Sequence, residues 1–268
     1  MAREDTDPTE GFVLAASGEG HAVLAQRAAR TLREAMPECV IDLFTDQNVD
    51  KDVFDGVFAL ERSWFRPKME SLRRSRFERT IYLDNDVIVL SDLSEIFQVL
   101  TRFDMTGVQM IRTNWKLGRV PSASDVPPCF PQINGGVLGI ASSARTRSLV
   151  DEWERRLIKT GAKNDQPILR DLLWTGDVRF HVLPPQYNMM SHKLLANWDS
   201  SFAAPRVLHL GAKLKADDPG DVASAYDLDT LIGRTMAEHI RDLRAADPNV
   251  GGNPKHSVPP LSSAIPIS

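Results

Sequence analysis

Apolar positions along this chain follow two rhythms. Short strand-like blocks at residues 12–16, 57–60, 80–83 and 105–109, and a further one in "ECVIDLFTD", alternate with stretches spaced by a helical turn, such as Leu24, Ala28, Leu32 and Met36. Alternating strand and helix patterns predict an α/β fold with a mainly parallel central sheet covered by helices on both faces. In such sheets, loops leaving the carboxyl ends of the strands gather at one edge, where ligands bind. The loops at Ser17 to His21, at Asp46 and at Asp84 to Asp86 all leave strands at that edge.

The second half opens with a proline-marked loop, "VPSASDVPPCFPQ", and a glycine-bearing strand, "INGGVLGI". A helix follows, whose Leu149, Val150, Trp153, Leu157 and Ile158 form an apolar stripe. "NDQPILRDLL" reads as another helix start, with Asn164 or Asp165 as its cap and Pro167 in the first turn. Strands are expected around residues 178–183 and 206–209, then one helix carrying Leu228, Leu231, Ile232, Met236, Ile240 and Leu243.

Composition narrows the function. The 268 residues, 42% of them hydrophobic, suffice for a sizeable core, and a net charge of -4 gives no basic field for nucleic acid. Two distant cysteines, Cys39 and Cys129, fit a reducing cytoplasm and are expected to be buried or inert. The polar, acidic start is not a signal peptide, and no apolar run reaches the ~20 residues of a membrane span.

One stretch resists this plain reading. In "RTIYLDNDVIVLSDL", Asp84 and Asp86 interrupt an apolar run. Buried carboxylates are costly unless paired or bound to a cation, so either the strand ends there in a turn or the two acids hold a metal. Alternate carboxylates at a sheet edge can share one hard divalent cation, which in turn can bridge a diphosphate.

The ordered set "LDNDVIVLSDL", "INGGVLGI", "NDQPIL", "VLPPQYN" and "VLHLGAK" resembles the GT-A glycosyltransferases of the glycogenin and bacterial lipopolysaccharide galactosyl- and glucosyltransferase type, over residues 12–213. The resemblance implies a single Rossmann-like GT-A domain over 11–246. Its nucleotide-sugar half would be about 11–110 and its acceptor and metal half about 111–246, between a flexible 1–10 and a Pro/Gly/Ser-rich tail at 247–268. It implies sugar transfer from a nucleotide-diphosphate sugar, with a UDP-sugar favoured, to a carbohydrate, lipid or protein acceptor. Mn²⁺ or Mg²⁺ would assist, and anomeric configuration would be retained.

Position by position, Asp84, Asp86 and His209 match the metal ligands. Lys68 and Lys213, with Lys215 as the alternative to the latter, match lysines reaching the phosphates. Ala15, Ser17, His21, Asp46 and Asn85 fall at the nucleoside side, His21 standing where an aromatic residue often stacks on the base. Asn134 and Gly135 match residues beside the donor sugar, and Asp165 and Gln166 those nearest the anomeric carbon. Gln186 and Asn188 are expected on the acceptor wall, together with the loop at 114–132.

Three rivals make different predictions. A phosphatase of the haloacid dehalogenase type needs its Asp-x-Asp after the first strand, yet two strand-helix units precede it here. A sugar nucleotidyltransferase needs a basic first loop, and "ASGEGH" carries no Lys or Arg. A sugar-nucleotide-binding module would bind the donor without turnover.

Overall fold

A computed structural model describes residues 8–112, 125–217, 222 and 225–250. The first half comprises β1 (Glu10–Ala16), α1 (Glu19–Ala35), β2 (Ile41–Thr45), β3 (Gly56–Ala59), α2 (Lys68–Arg74), β4 (Arg79–Leu83), β5 (Val87–Val89), α3 (Ser94–Val99) and β6 (Met105–Gln109). The second comprises β7 (Ile133–Ala141), α4 (Ala144–Thr160), α5 (Gln166–Thr175), β8 (Phe180–Leu183), β9 (Val207–His209), α6 (Ala212–Ala216), α7 (Leu228–Ile232) and α8 (Arg234–Ala246).

Seven strands form one sheet in the order β3-β2-β1-β4-β7-β6-β8. All run parallel except β7, the glycine strand, which is antiparallel to both neighbours. Alternation along the strands supplies a core on each face: Phe12, Leu14, Ile81 and Leu83 pack on one side, Val13, Ala15, Tyr82 and Leu138 on the other. The mixed α/β architecture expected from the alternating pattern is therefore present, with β7 as the departure.

A separate two-stranded ribbon pairs β5 with β9 antiparallel, over its own apolar cluster that includes Ile88, Leu208 and Ile240. This ribbon explains the interrupted apolar run. Residues 80–83 belong to the main sheet and 87–89 to the ribbon, so Asp84, Asn85 and Asp86 form the turn where the chain changes sheets.

Several local expectations need correction. The single helix expected over residues 228–243 is two, because Gly233 sits at φ 86°, a left-handed conformation that ends α7 before α8 begins. Ile158 is half exposed, outside the buried stripe of α4. Asp165 occupies the N-cap position of α5 without capping it through its side chain; Asn164 Oδ1 accepts from Gln166 N at 3.2 Å instead. Strand β8 starts at Phe180, and Arg206 lies outside β9, with its amide donating to Gln186 O. Cys129 is exposed, whereas burial pushes the half-buried Cys39 thiol up to about 12. Residues 113–124, within the loop expected at the acceptor wall, and residues 251–268 of the expected tail lie outside the described residues.

Candidate active site

The sheet-switching turn brings three metal-binding groups together. In the ribbon, Val87 pairs with His209, and Leu210 N donates to Asp86 O, so the end of β9 sits beside the turn. His209 Nε2 lies 3.1 Å from Asp86 Oδ1 and 4.0 Å from Asp84 Oδ2. One ligand atom from each residue fits within a 4.8 Å span.

Hydrogen bonds fix which nitrogen of His209 faces the carboxylates. The Gly136 backbone N–H, which can only donate, binds Asn134 Oδ1 at 2.8 Å. That oxygen also accepts from Asn188 Nδ2 at 2.8 Å, which turns Asn188 Oδ1 toward His209 Nδ1 at 3.0 Å. Nδ1 must therefore carry a proton, and in the neutral imidazole Nε2 presents its lone pair to Asp86. Two electron-rich atoms do not rest 3.1 Å apart with nothing between them; a proton or a cation occupies the gap. In the metal-free chain a proton fills it: burial lowers the His209 pKa, but the bond and charge of Asp86 outweigh this and raise it. Asp86, which burial pushes up instead, ends below the usual carboxylate range through His209 and then Lys215. Two carboxylates and an imidazole held this way form a donor set that suits Mn²⁺ and accepts Mg²⁺ less readily.

The glycine pair of β7 makes room for this arrangement. The β6–β7 register jumps, with Gly107 opposite Leu138 and Val108 opposite Asn134, so residues 135–137 bulge out of the ladder toward the site. Gly136 O accepts from Asp84 N at 2.9 Å. A Cβ on Gly136 would lie 2.4 Å from His209 Nδ1, and one on Gly135 would lie 2.4 Å from Lys68 Nζ.

Lys68, the first residue of α2, is buried. Its ammonium donates to Gly135 O at 2.7 Å, lies 3.1 Å from Asp84 Oδ1 and 3.9 Å from Asp165 Oδ2, and sits over the Tyr82 ring at 4.9 Å. Tyr82 OH donates to Asp84 Oδ1 at 3.0 Å. Asp165 is buried, its Oδ2 has no hydrogen-bond partner among the described residues, and its Oδ1 lies 3.7 Å from Arg66 Nε. The carboxylate thus stands behind two cations.

On the Asp84 and Asp86 side opens a cavity bordered by Ala15, Ser17, His21, Lys68, Tyr82 and Asn85, with Trp64, Phe65, Arg66 and Lys215 completing its rim. Asn85 Nδ2 donates to Ala15 O at 2.8 Å, tying the turn to the end of β1. On the His209 side lies a second cavity that Asn134 and Lys213 border.

Sequence expectations change at Lys213, Asp46 and Gln186. Lys213 does not reach the first cavity: residues two apart on a helix face opposite ways, so in α6 Lys213 Nζ binds Leu231 O at 2.7 Å while Lys215 Nζ lies 3.0 Å from Asp86 Oδ2. Asp46 does not border the cavity either. It clamps the first loop by accepting from Ser17 Oγ at 2.7 Å and Gly18 N at 2.8 Å. Asn188 is fully buried behind His209 and also borders an apolar cavity on that side, and Gln186 is half buried outside the two cavities described above. Gly135 faces the lysine. Gln166 accepts from Gln132 Nε2 at 3.1 Å.

Tyr82, Trp64, Phe65 and Arg66 were missed. Tyr82 had a signal, since it stands two residues before Asp84 and so points to the same side of the strand. The aromatic pair just before "RPK" was another.

The model of the nucleotide-diphospho-sugar transferase family matches residues 24–214. The chain belongs to that family, which makes it a transferase acting on nucleotide sugars. No curated protein matches it. Among solved structures it resembles the galactosyltransferase LgtC in complex with donor and acceptor sugar analogs, with TM-score 0.59, 14% identity, and coverage of 90% of this chain and 98% of that one. It also resembles the glycosyltransferase GlyE of Streptococcus pneumoniae TIGR4, with TM-score 0.55, 16% identity, and coverage of 90% and 62%. The bifunctional glycosyltransferase WbbM gives TM-score 0.56 at 13% identity, with coverage of 92% and 53%. These likenesses establish the GT-A fold. No helix among the described residues is long and apolar enough to cross a membrane.

Proposed function

We propose that the chain is a metal-dependent, retaining glycosyltransferase that moves a sugar from a UDP-sugar, within the cytoplasm, using residues 11–246 as one catalytic domain. The observation that carries this reading is the forced orientation of His209 Nε2 toward Asp86. A bound Mn²⁺, or Mg²⁺ in its place, supplies positive charge for the departing diphosphate.

The chain's own cations do the same from two sides. Lys68 is pinned by Gly135 O and Asp84, so its charge is preorganised, and Lys215 reaches in from α6 on a mobile stem. As the bond from the anomeric carbon to the phosphate oxygen breaks, the sugar gains positive character. We assign Asp165 and Gln166, at the start of α5, to the underside of that sugar, with Asn134 and Gly135 beside it. The acceptor hydroxyl enters on the face the phosphate leaves, and its proton passes to the phosphate oxygen. Ala15, Ser17, His21 and Asn85 hold the nucleoside, and Phe65 offers a ring for stacking on the base.

Calorimetric titration of UDP, with Mn²⁺ and then with chelator, tests the reading. Binding is expected only with the cation; equal affinity in both would overturn it.

A further inference from the structure

A cavity of about 280 Å³ opens between α1, β5, α7 and α8 and shares no bordering residue with either cavity of the candidate site. Three guanidinium groups border it, Arg27 and Arg30 from α1 and Arg244 from α8, against one carboxylate, Glu34. Two of the three have a carboxylate elsewhere: Asp217 Oδ2 lies 2.8 Å from Arg27 Nη1, and Asp50 Oδ2 lies 2.7 Å from Arg30 Nη2. Arg244 pairs with no carboxylate among the described residues; its Nη2 donates to Leu90 O. Burial and then the charge of Arg206 lower its pKa, the behaviour of a half-buried cation that lacks a counter-charge.

The unmet hydrogen bonds on this border are all of one kind. Arg30 Nε, Arg244 Nε and Tyr226 OH are buried and have no hydrogen-bond partner among the described residues. Guanidinium N–H groups can only donate, and burial pushes the Tyr226 phenol up to about 12, so it keeps its proton. Buried polar groups without partners are rare in folded proteins, and three donors together call for an acceptor. Donors on three separate residues suit the three oxygens of a phosphate monoester better than the two coplanar oxygens of a carboxylate. Ala35, Ile88 and Leu228 add apolar border, which suits an organic body on that phosphate.

Arg27 connects this cavity to the candidate site. It is 3% exposed, and its Cζ lies 3.7 Å over the centroid of the Tyr226 ring. Its partner Asp217 directly follows α6, the helix whose Lys215 Nζ lies 3.0 Å from Asp86 Oδ2. We propose that the arginine-bordered cavity binds a small organic phosphate monoester, and that binding there weakens nucleotide binding by drawing Arg27 from Asp217 and loosening α6. The phosphate site stands apart from the glycosyl-transfer reading, whereas its coupling to nucleotide rests on that reading. Lys215 bounds the coupling: as a half-exposed cation it contributes no more than about fivefold to UDP affinity. Linkage makes the effect reciprocal, so UDP weakens the phosphate ester by the same factor.

The test is calorimetric titration of phenyl phosphate into the full chain, with benzoate and inorganic phosphate as comparisons. Phenyl phosphate is expected to bind at least about tenfold more tightly than either. Arg244→Ala should weaken it about tenfold and Arg30→Ala about fivefold, with Mn²⁺-dependent UDP affinity unchanged in both. In the parent chain, saturating phenyl phosphate should lower UDP affinity about threefold. In Lys215→Ala, phenyl phosphate should still bind and that effect should vanish. Equal binding of benzoate would remove the phosphate, and equal binding of inorganic phosphate would remove the organic body. Phenyl phosphate binding indifferent to both arginine substitutions would put it elsewhere. Unchanged UDP affinity in the parent, or a loss that persists in Lys215→Ala, would end the coupling through α6. Each of these overturns the proposal while UDP binding stands, whereas absence of Mn²⁺-dependent UDP binding in the parent chain strikes the transferase reading itself.

Discussion

The two sides of His209 are built on opposite principles. On the carboxylate side and beneath it, polar side chains are buried and tied to one another: Asn134 to Gly136, Asn188 to Asn134, His209 to Asn188, Lys68 to Gly135 and Asp84. On the other side, Arg112 and Lys193 stand exposed beside exposed apolar rings. A group that must hold a cation in fixed geometry is oriented by a buried shell, because a loose ligand loses affinity in proportion to its freedom. A surface that must admit a large, variable partner is left open. Perturbing the first side should therefore act on metal and nucleotide together, whereas the second should act on neither.

The sharpest way to break that contrast is a single methyl group. Gly136→Ala puts a Cβ 2.4 Å from His209 Nδ1 and 2.9 Å from Asn134 Oδ1, so the imidazole must turn or the bulge must move. Mn²⁺ affinity, read by electron paramagnetic resonance, is expected to fall about 100-fold, the upper range for disturbing the shell around a metal ligand. Circular dichroism should remain that of the parent. Parent-like Mn²⁺ affinity would mean that the buried shell tolerates displacement and does not hold the ligand.

Asn188→Ala tests the same shell without crowding it. His209 Nδ1 loses its acceptor, and the imidazole becomes free to carry its proton on either nitrogen. Mn²⁺ affinity should fall about tenfold. Nitrogen chemical shifts of His209 in the metal-free protein should move from those of a ring protonated on both nitrogens toward those of a neutral ring with its proton on Nε2 beside Asp86, a change that loss of stability alone does not produce. A variant that keeps the parent shifts would show that Asn188 serves packing only.

This shell also marks the limit of what the sequence disclosed. That Asp84, Asp86 and His209 come together was legible from the order of the motifs that carry them. The alternating core was legible for another reason, since burial on two faces of a sheet enforces apolar blocks. The bond from Asn188 to His209 was not legible, because an asparagine in "PQYN" looks the same whether it faces solvent or a histidine; only the pairing of β9 with β5 decides that. Asp165 carried the opposite ambiguity. It fitted a helix cap and a site carboxylate equally; in the fold it holds the N-cap position, Asn164 Oδ1 takes the Gln166 amide, and the carboxylate stands behind Lys68. The break at Gly233 was hidden because the apolar spacing continues across it, and spacing carries no information about φ.

The smallest expected effect lies at the border between the two sides, in α6. Lys213 and Lys215 are separated by one residue, which on a helix sends their side chains to nearly opposite faces. Lys215 Nζ is 3.0 Å from Asp86 Oδ2 but half exposed, so its contribution is that of a screened, flexible cation. Lys213 Nζ is held by Leu231 O on the His209 side. Lys215→Ala should weaken UDP binding in the presence of Mn²⁺ by about fivefold, matching the ~1 kcal/mol upper range for a solvent-exposed ion pair. The loss should shrink as salt is raised from 50 to 300 mM, roughly across the range where the screening length falls below 10 Å. Lys213→Ala should leave UDP affinity unchanged. If Lys213→Ala were instead the variant that lost UDP affinity, the diphosphate would have to cross to the His209 side, and the division of the site into a closed half and an open half would fail.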